Sequence, residues 1–103
     1  MKAIQDIVII GAGNVAVNLA HAFRKAGKNI RCIYSRDAAR ARHLANSVGA
    51  DFTDKFEMLP NKADLFLIAV TDSAIAEVAD KLSSTEGIVA HTSGSVAISV
   101  LNK

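Results

Sequence analysis

Gly11, Gly13 and Ala16 follow directly on Ile7-Val8-Ile9-Ile10, and small residues at that spacing after an apolar run build a seat for an anion. Gly11 permits a tight turn, and Gly13 lets backbone N–H groups approach a phosphate with no side chain between them. Ala16 is small enough for the helix that follows to lie close to the strand before it. The start of that helix adds unpaired N–H donors and a partial positive charge. An apolar strand, G-x-G-x-x-A and then a helix is the arrangement that holds a dinucleotide pyrophosphate, so Gly11, Ala12, Gly13, Asn14 and Val15 are the first candidate binding residues.

Ser35 and Arg36, about 25 residues after Gly11, stand where dinucleotide sites choose their cofactor. An Asp or Glu there bonds the ribose 2′-hydroxyl of NAD and repels a 2′-phosphate. A hydroxyl and a planar guanidinium suit a phosphate dianion instead, with Arg40 one helical turn on as added charge. NADP is therefore the expected cofactor, with NAD the lesser alternative; solvated residues at a helix start are the bland alternative.

Ala69, Val70 and Thr71 close a later strand at the carboxyl edge, where small residues let a dinucleotide cross and Thr71 offers a hydroxyl. Asp72 suits a helix cap better than a catalytic base. His91, Thr92 and Ser93, before Gly94, end another strand. His91 could titrate near neutral pH or orient a nicotinamide amide, or serve only as a hydrogen-bonded structural residue. His21 and His43 lie within helices as surface or interface residues, and Cys32 fits a buried small side chain. No pair of histidines has metal-ligand spacing, and no nucleophile elbow, Walker lysine or paired carboxylates occur.

The elements that must position these residues alternate short apolar runs with helical stretches, the pattern of an α/β chain. Strands are expected at Asp6–Ile10, Asn29–Tyr34, Asp51–Thr53, Leu65–Val70 and Gly87–His91. Helix one is expected from Asn14 to Ala26, with Val15, Leu19, Ala22 and Ala26 inward and Gly27 as its stop. Helix two is expected from Asp37 to Val48, with Ala41, Leu44, Ala45 and Val48 inward and Gly49 as its C-cap. Asp54 to Leu59 is expected to hold a turn of helix ended by Pro60. Thr71, Asp72 or Ser73 caps a helix carrying Ile75, Val78, Ala79 and Leu82, and Ser95 caps another beginning near Val96. The fold expected is a Rossmann-like, doubly wound, mainly parallel sheet of about five strands with helices on both faces.

Composition removes other classes. A net charge of +2 without basic-aromatic interleaving gives nucleic acid no footing, and no apolar run approaches the roughly 20 residues of a membrane span. A single cysteine excludes an internal disulfide framework and fits the cytoplasm. At 103 residues the chain is one domain, short for a complete dinucleotide-dependent enzyme. Residues 1–103 are read as a dinucleotide-binding domain and a fragment of a larger two-domain protein, truncated before a C-terminal helical domain.

Ile-Val-Ile-Ile-Gly-Ala-Gly-Asn-Val-Ala, Tyr-Ser-Arg, Leu-Ile-Ala-Val-Thr-Asp and His-Thr-Ser-Gly together resemble the N-terminal Rossmann-like domain of the DUF2520-containing oxidoreductase family. That family is related to pyrroline-5-carboxylate reductase and the F420-dependent NADP reductases. The resemblance covers nearly all of the chain, and its most selective parts are Val-Thr-Asp and His-Thr-Ser-Gly. It implies a protein at least twice this length, dimerising through a helical second domain that completes the site for a small-molecule substrate. It also implies that Gly11 to Val15 hold the pyrophosphate, Ser35 and Arg36 the 2′-phosphate, Ala69 to Thr71 the dinucleotide, and His91 to Ser93 the nicotinamide end.

The chain accordingly fits the cofactor domain of an NADP-dependent oxidoreductase that moves hydride to or from a small carbonyl, imine or alcohol, inactive by itself. A regulatory, RCK-like nucleotide sensor is the alternative; such modules generally keep an acid at the end of strand two, against Ser35-Arg36. A degenerate scaffold serving only assembly is a third, against which the intact Gly11 and Gly13 count.

Overall fold

The computed structural model describes residues 4–70, 78, 80–82 and 85–91. Ile7, Val8, Ile9 and Ile10 have no exposed surface, because the strand they form is paired on both edges and covered on both faces. This strand, β1 (Asp6–Ile10), lies in parallel between β2 (Asn29–Tyr34) and β4 (Lys62–Ile68). Outside them lie β3 (Asp51–Thr53), against β2, and β5 (Glu86–His91), against β4. The order β3-β2-β1-β4-β5, with every pairing parallel, is that of a Rossmann-like α/β fold. Between β1 and β4 the strand order reverses, which opens a crevice at the carboxyl edge.

Alternation along the strands sorts their side chains into two cores. Ile7 and Ile9, with Ile33, Leu65 and Leu67, pack against α1 (Asn14–Lys25) through Ala16 and Ala20. They also meet α2 (Ala38–Val48) through Ala41, Leu44, Ala45 and Val48. Val8, Ile10, Phe66 and Ile68 point the other way, to Val89 and Leu82, with Tyr34, Phe56, Val70 and Val78 at the margin. Each large side chain so buried stabilises by about 1.5–3 kcal/mol, more than a cap or an exposed ion pair.

Sequence periodicity locates α2 correctly: Asp37 caps it, its four inward residues are buried, and Gly49 ends it in a left-handed conformation at φ 69°. Except at Leu19, which packs partly buried against the core, the face expected of α1 is corrected. Its buried residues are Ala16 and Ala20, with Phe23 partly buried behind them, whereas Val15 is 51% exposed and Ala22 and Ala26 are exposed. The reason is close packing: small Ala16 and Ala20 let the helix axis approach the sheet, and Val15 is then carried toward the carboxyl edge.

Strand β4 spans Lys62–Ile68, not Leu65–Val70. It begins early because its polar start has tertiary partners: Lys62 pairs in register with Glu86, and Lys62 O accepts from the Arg31 guanidinium at 2.9 Å. Asp64 Oδ2 also accepts from the Gln5 and Asp6 N–H groups at 2.8 and 3.0 Å. It ends at Ile68 because β1 turns away after Ile10, whose carbonyl takes a last bond from Ala69 N–H at 2.8 Å. The expected turn at 54–59 is a 3-10 helix at Phe56–Met58. Val78, Asp80 and Lys81 have helical backbone, and Leu82 N–H donates to Val78 O at 3.1 Å. The caps assigned to Thr71, Asp72, Ser73 and Ser95, the positions of Ile75 and Ala79, and the helix from Val96 lie outside the described residues. Among those described, no helix is long and apolar enough to cross a membrane.

Candidate functional site

At the carboxyl edge of β1, β2 and β4 a cavity of about 540 Å³ gathers most of the residues singled out from sequence. Gly11, Ala12, Gly13, Asn14, Val15, Ser35, Arg36, Ala69 and Val70 all line it, with Arg40 beside them. Thr71, Thr92 and Ser93 lie outside the described residues.

The two glycines have different duties. Gly11 has φ 125°, its N–H donates to Tyr34 O at 2.7 Å, and a Cβ on it would fall onto the Ala69 carbonyl oxygen. The fold itself therefore requires glycine at this position. Gly13 has φ −82°, open to any residue, and a Cβ there would meet nothing within 4 Å. The fold does not need glycine there; it keeps the space in front of α1 clear. Gly13 is also the N-cap of α1, where no side chain caps the helix and no acid lies in the first turn. The helix start thus presents its amides and positive end to the cavity.

At the end of β2, Ser35 N–H donates to Thr53 O at 3.2 Å while its Oγ accepts from Asp37 N–H at 3.1 Å, leaving the hydroxyl proton to donate outward. Asp37, next in sequence to Arg36, is turned into α2. Its Oδ1 accepts from the Ala39 and Arg40 N–H groups at 3.0 and 3.2 Å, and its Oδ2 lies 3.6 Å from Arg40 Nε. Arg36 is exposed and makes no ion pair among the described residues. The described lining of the cavity carries Arg36, Arg40 and Lys81 and no carboxylate.

Tyr34, Phe56, Val78 and Lys81 also line the cavity and were missed from sequence. Tyr34 could have been found, since it ends β2 immediately before Ser35. Phe56 and Lys81 arrive from separate connections, and nothing in their local sequence marks them. His91, the last residue of β5, stands opposite Ile68 in register. It does not line the cavity, and both its ring nitrogens are buried without a hydrogen-bond partner among the described residues. His21 and His43 are exposed on α1 and α2, and His21 Nε2 lies 3.4 Å from Ser47 Oγ. Cys32 is buried in β2; burial above all, then the Asp51 charge, pushes its thiol above the ordinary value. No three His, Cys, Asp or Glu residues gather to hold a metal among those described.

Comparison with known proteins agrees with this geometry. The family model described as NADP oxidoreductase coenzyme F420-dependent matches residues 6–103. The chain is 28% identical over 95 residues to a pyrroline-5-carboxylate reductase of Aquifex aeolicus, covering 92% of this chain and 36% of that protein. A Bacteroides fragilis protein described as an NADP oxidoreductase superposes with a TM-score of 0.88 at 36% identity, over 96% of this chain and 39% of its own. Prephenate dehydrogenase of A. aeolicus, solved with hydroxyphenyl propionate and NAD+, shares the fold at a TM-score of 0.85 and 17% identity, over 99% of this chain and 40% of its own. The chain spans about two-fifths of the length of these relatives. It belongs to the NADP oxidoreductase coenzyme F420-dependent family, as a Rossmann-type domain for a nicotinamide dinucleotide.

Proposed function

We propose that this chain is the cofactor half of an NADP-dependent oxidoreductase, with NADP preferred to NAD. Gly11 to Val15 hold the pyrophosphate, and Ser35 and Arg36 take the 2′-phosphate with Arg40 beside them. Ala69, Val70 and Thr71 line the path of the dinucleotide, and His91, Thr92 and Ser93 stand at its nicotinamide end.

The observation that carries this reading is the charge of the described lining: three cations and no carboxylate, with Asp37, next in sequence to Arg36, occupied in capping α2. A guanidinium with no ion pair among the described residues can bond two oxygens of a phosphate dianion, and the Ser35 hydroxyl can donate to a third. At the opposite end, Gly13 leaves room for a phosphate on the uncapped amides of α1. His91 supports the direction of the path: both of its ring nitrogens are buried without partners among the described residues. The nicotinamide, when bound, supplies hydride transfer; the protein's share is to bind and orient it.

The substrate in this reading is a small carbonyl, imine or alcohol, and the imine draws on the likeness to pyrroline-5-carboxylate reductase. A second, helical domain of the DUF2520 type completes the substrate site and forms a homodimer, so residues 1–103 alone are inactive. In this reading the protein works in a reducing cytoplasm, which a single buried cysteine supports. Calorimetric titration with NADP+ and NAD+ tests the reading: tighter binding of NADP+ is expected, and equal affinity overturns the preference.

A further inference from the structure

Building on the NADP reading above, we infer that the rings of Tyr34 and Phe56 form the wall that takes the purine base of the dinucleotide. Tyr34 ends β2, and its carbonyl accepts from Gly11 N–H at 2.7 Å while Ser35 follows it in the chain. It therefore joins the glycine turn to the end of the cavity that carries Arg36. Alternation along β2 sends Ile33 to the core under α1 and α2, and Tyr34 to the other face of the sheet. There Tyr34, Phe56, Val70 and Val78 form the margin of the second core, each partly buried and each on the cavity lining.

Phe56 is held from two sides. It meets Tyr34 edge to face, with centroids 5.3 Å apart and planes at 78°, and Lys81 Nζ stands 5.4 Å from its centroid. A large ring left partly open at a cavity suits a flat ligand that presents an apolar face. The two anions of the ligand have other seats, the pyrophosphate at Gly13 and the start of α1, the 2′-phosphate at Ser35 and Arg36. Adenosine joins them, because its 5′-oxygen carries the one and its C2′ the other. The base leaves the ribose at C1′, next to C2′, so it belongs beside Ser35, where the two rings lie. Aromatic side chains hold a base through its π-face, and uncharged rings cannot tell NADP from NAD. Arg36 then sets which dinucleotide binds, and the Tyr34–Phe56 wall sets how tightly either one does.

Tyr34 is the only tyrosine of the chain and tryptophan is absent, so intrinsic tyrosine emission reports this wall alone. The test is titration with adenosine 2′,5′-bisphosphate, NADP+ and NAD+, with N-acetyltyrosinamide as the reference at the same ligand concentrations. Saturable quenching of Tyr34 beyond that of the free amide is expected with all three, and binding without it overturns the wall. In calorimetry, Phe56→Ala is expected to raise the Kd of all three ligands about tenfold, as for a base that loses an aromatic contact. Phe56→Leu, which keeps the apolar margin of the core and loses the ring, is expected to give a smaller loss of the same pattern. Phe56→Tyr, which restores a ring, is expected to bind within about twofold of the parent. Unchanged affinity in Phe56→Ala, or a loss confined to NADP+, overturns the role of the wall. If Arg36→Ala abolishes selectivity while Phe56→Ala changes nothing, the NADP reading stands and only the wall falls. If the parent binds none of the three ligands, the dinucleotide reading falls and the wall with it.

Discussion

Gly11 and Ala69 lie so close that a Cβ on the glycine would strike the Ala69 carbonyl, 2.9 Å from its carbon. This contact holds the end of β1 against the residue that follows β4 and sets the depth of the crevice between them. Together with φ 125°, it makes Gly11 a folding residue before it is a binding one. Gly11→Ala combines backbone strain of about 1–3 kcal/mol with overpacking of similar size. Chemical denaturation is expected to show a loss of about 2–5 kcal/mol, and a loss under about 0.5 kcal/mol would contradict the contact.

Gly13→Val separates binding from folding. Nothing within 4 Å opposes a Cβ there, and φ −82° suits any residue. Stability is expected to fall by about 1 kcal/mol or less, the cost of valine at an N-cap, while affinity for NADP+ and NAD+ falls together by about 100-fold or more. Retained affinity in calorimetry would mean that the glycine turn is not the phosphate seat.

Asp37→Ala removes the side-chain cap of α2 and is expected to cost about 1 kcal/mol in thermal unfolding. NADP+ affinity is expected to hold, because this carboxylate bonds the amides of its own helix. A tenfold loss of NADP+ binding at unchanged stability would place Asp37 in the site instead.

Cys32 links stability to pH. Burial first, and the Asp51 charge second, raise its folded-state pKa above the ordinary 9.0, so the folded protein keeps the thiol proton that the unfolded chain releases. The stabilisation is fully present below the unfolded value and is lost as pH rises above it toward the folded one. Denaturant unfolding between pH 8 and pH 10.5 should show stability falling more steeply in the parent than in Cys32→Ala. Equal slopes would remove the thiol from the account.

Sequence revealed what local chemistry decides. Ile7 to Ile10 could only be a strand buried on both faces, Asp37 and Gly49 bracket α2, and the glycine turn with Ser35-Arg36 lines one cavity. Contacts made at a distance were hidden. Lys62 and Asp64 look too polar to begin a central strand until Arg31 and the Gln5 and Asp6 amides are seen to meet them. Val15 looks like a core residue until Ala16 and Ala20 are seen against the sheet. Phe56 joins the site because a 3-10 turn brings it to Tyr34, and Lys81 because a helical turn brings it over Phe56, encounters that no periodicity encodes.

The central claim is that Arg36 reads a 2′-phosphate, and Arg36→Ala titrated with both dinucleotides tests it most directly. NADP+ binding is expected to weaken by about 1.5–3 kcal/mol, roughly 10- to 150-fold, as for loss of a charge-assisted contact, with NAD+ affinity unchanged. Equal losses for NADP+ and NAD+, or none for either, would contradict it.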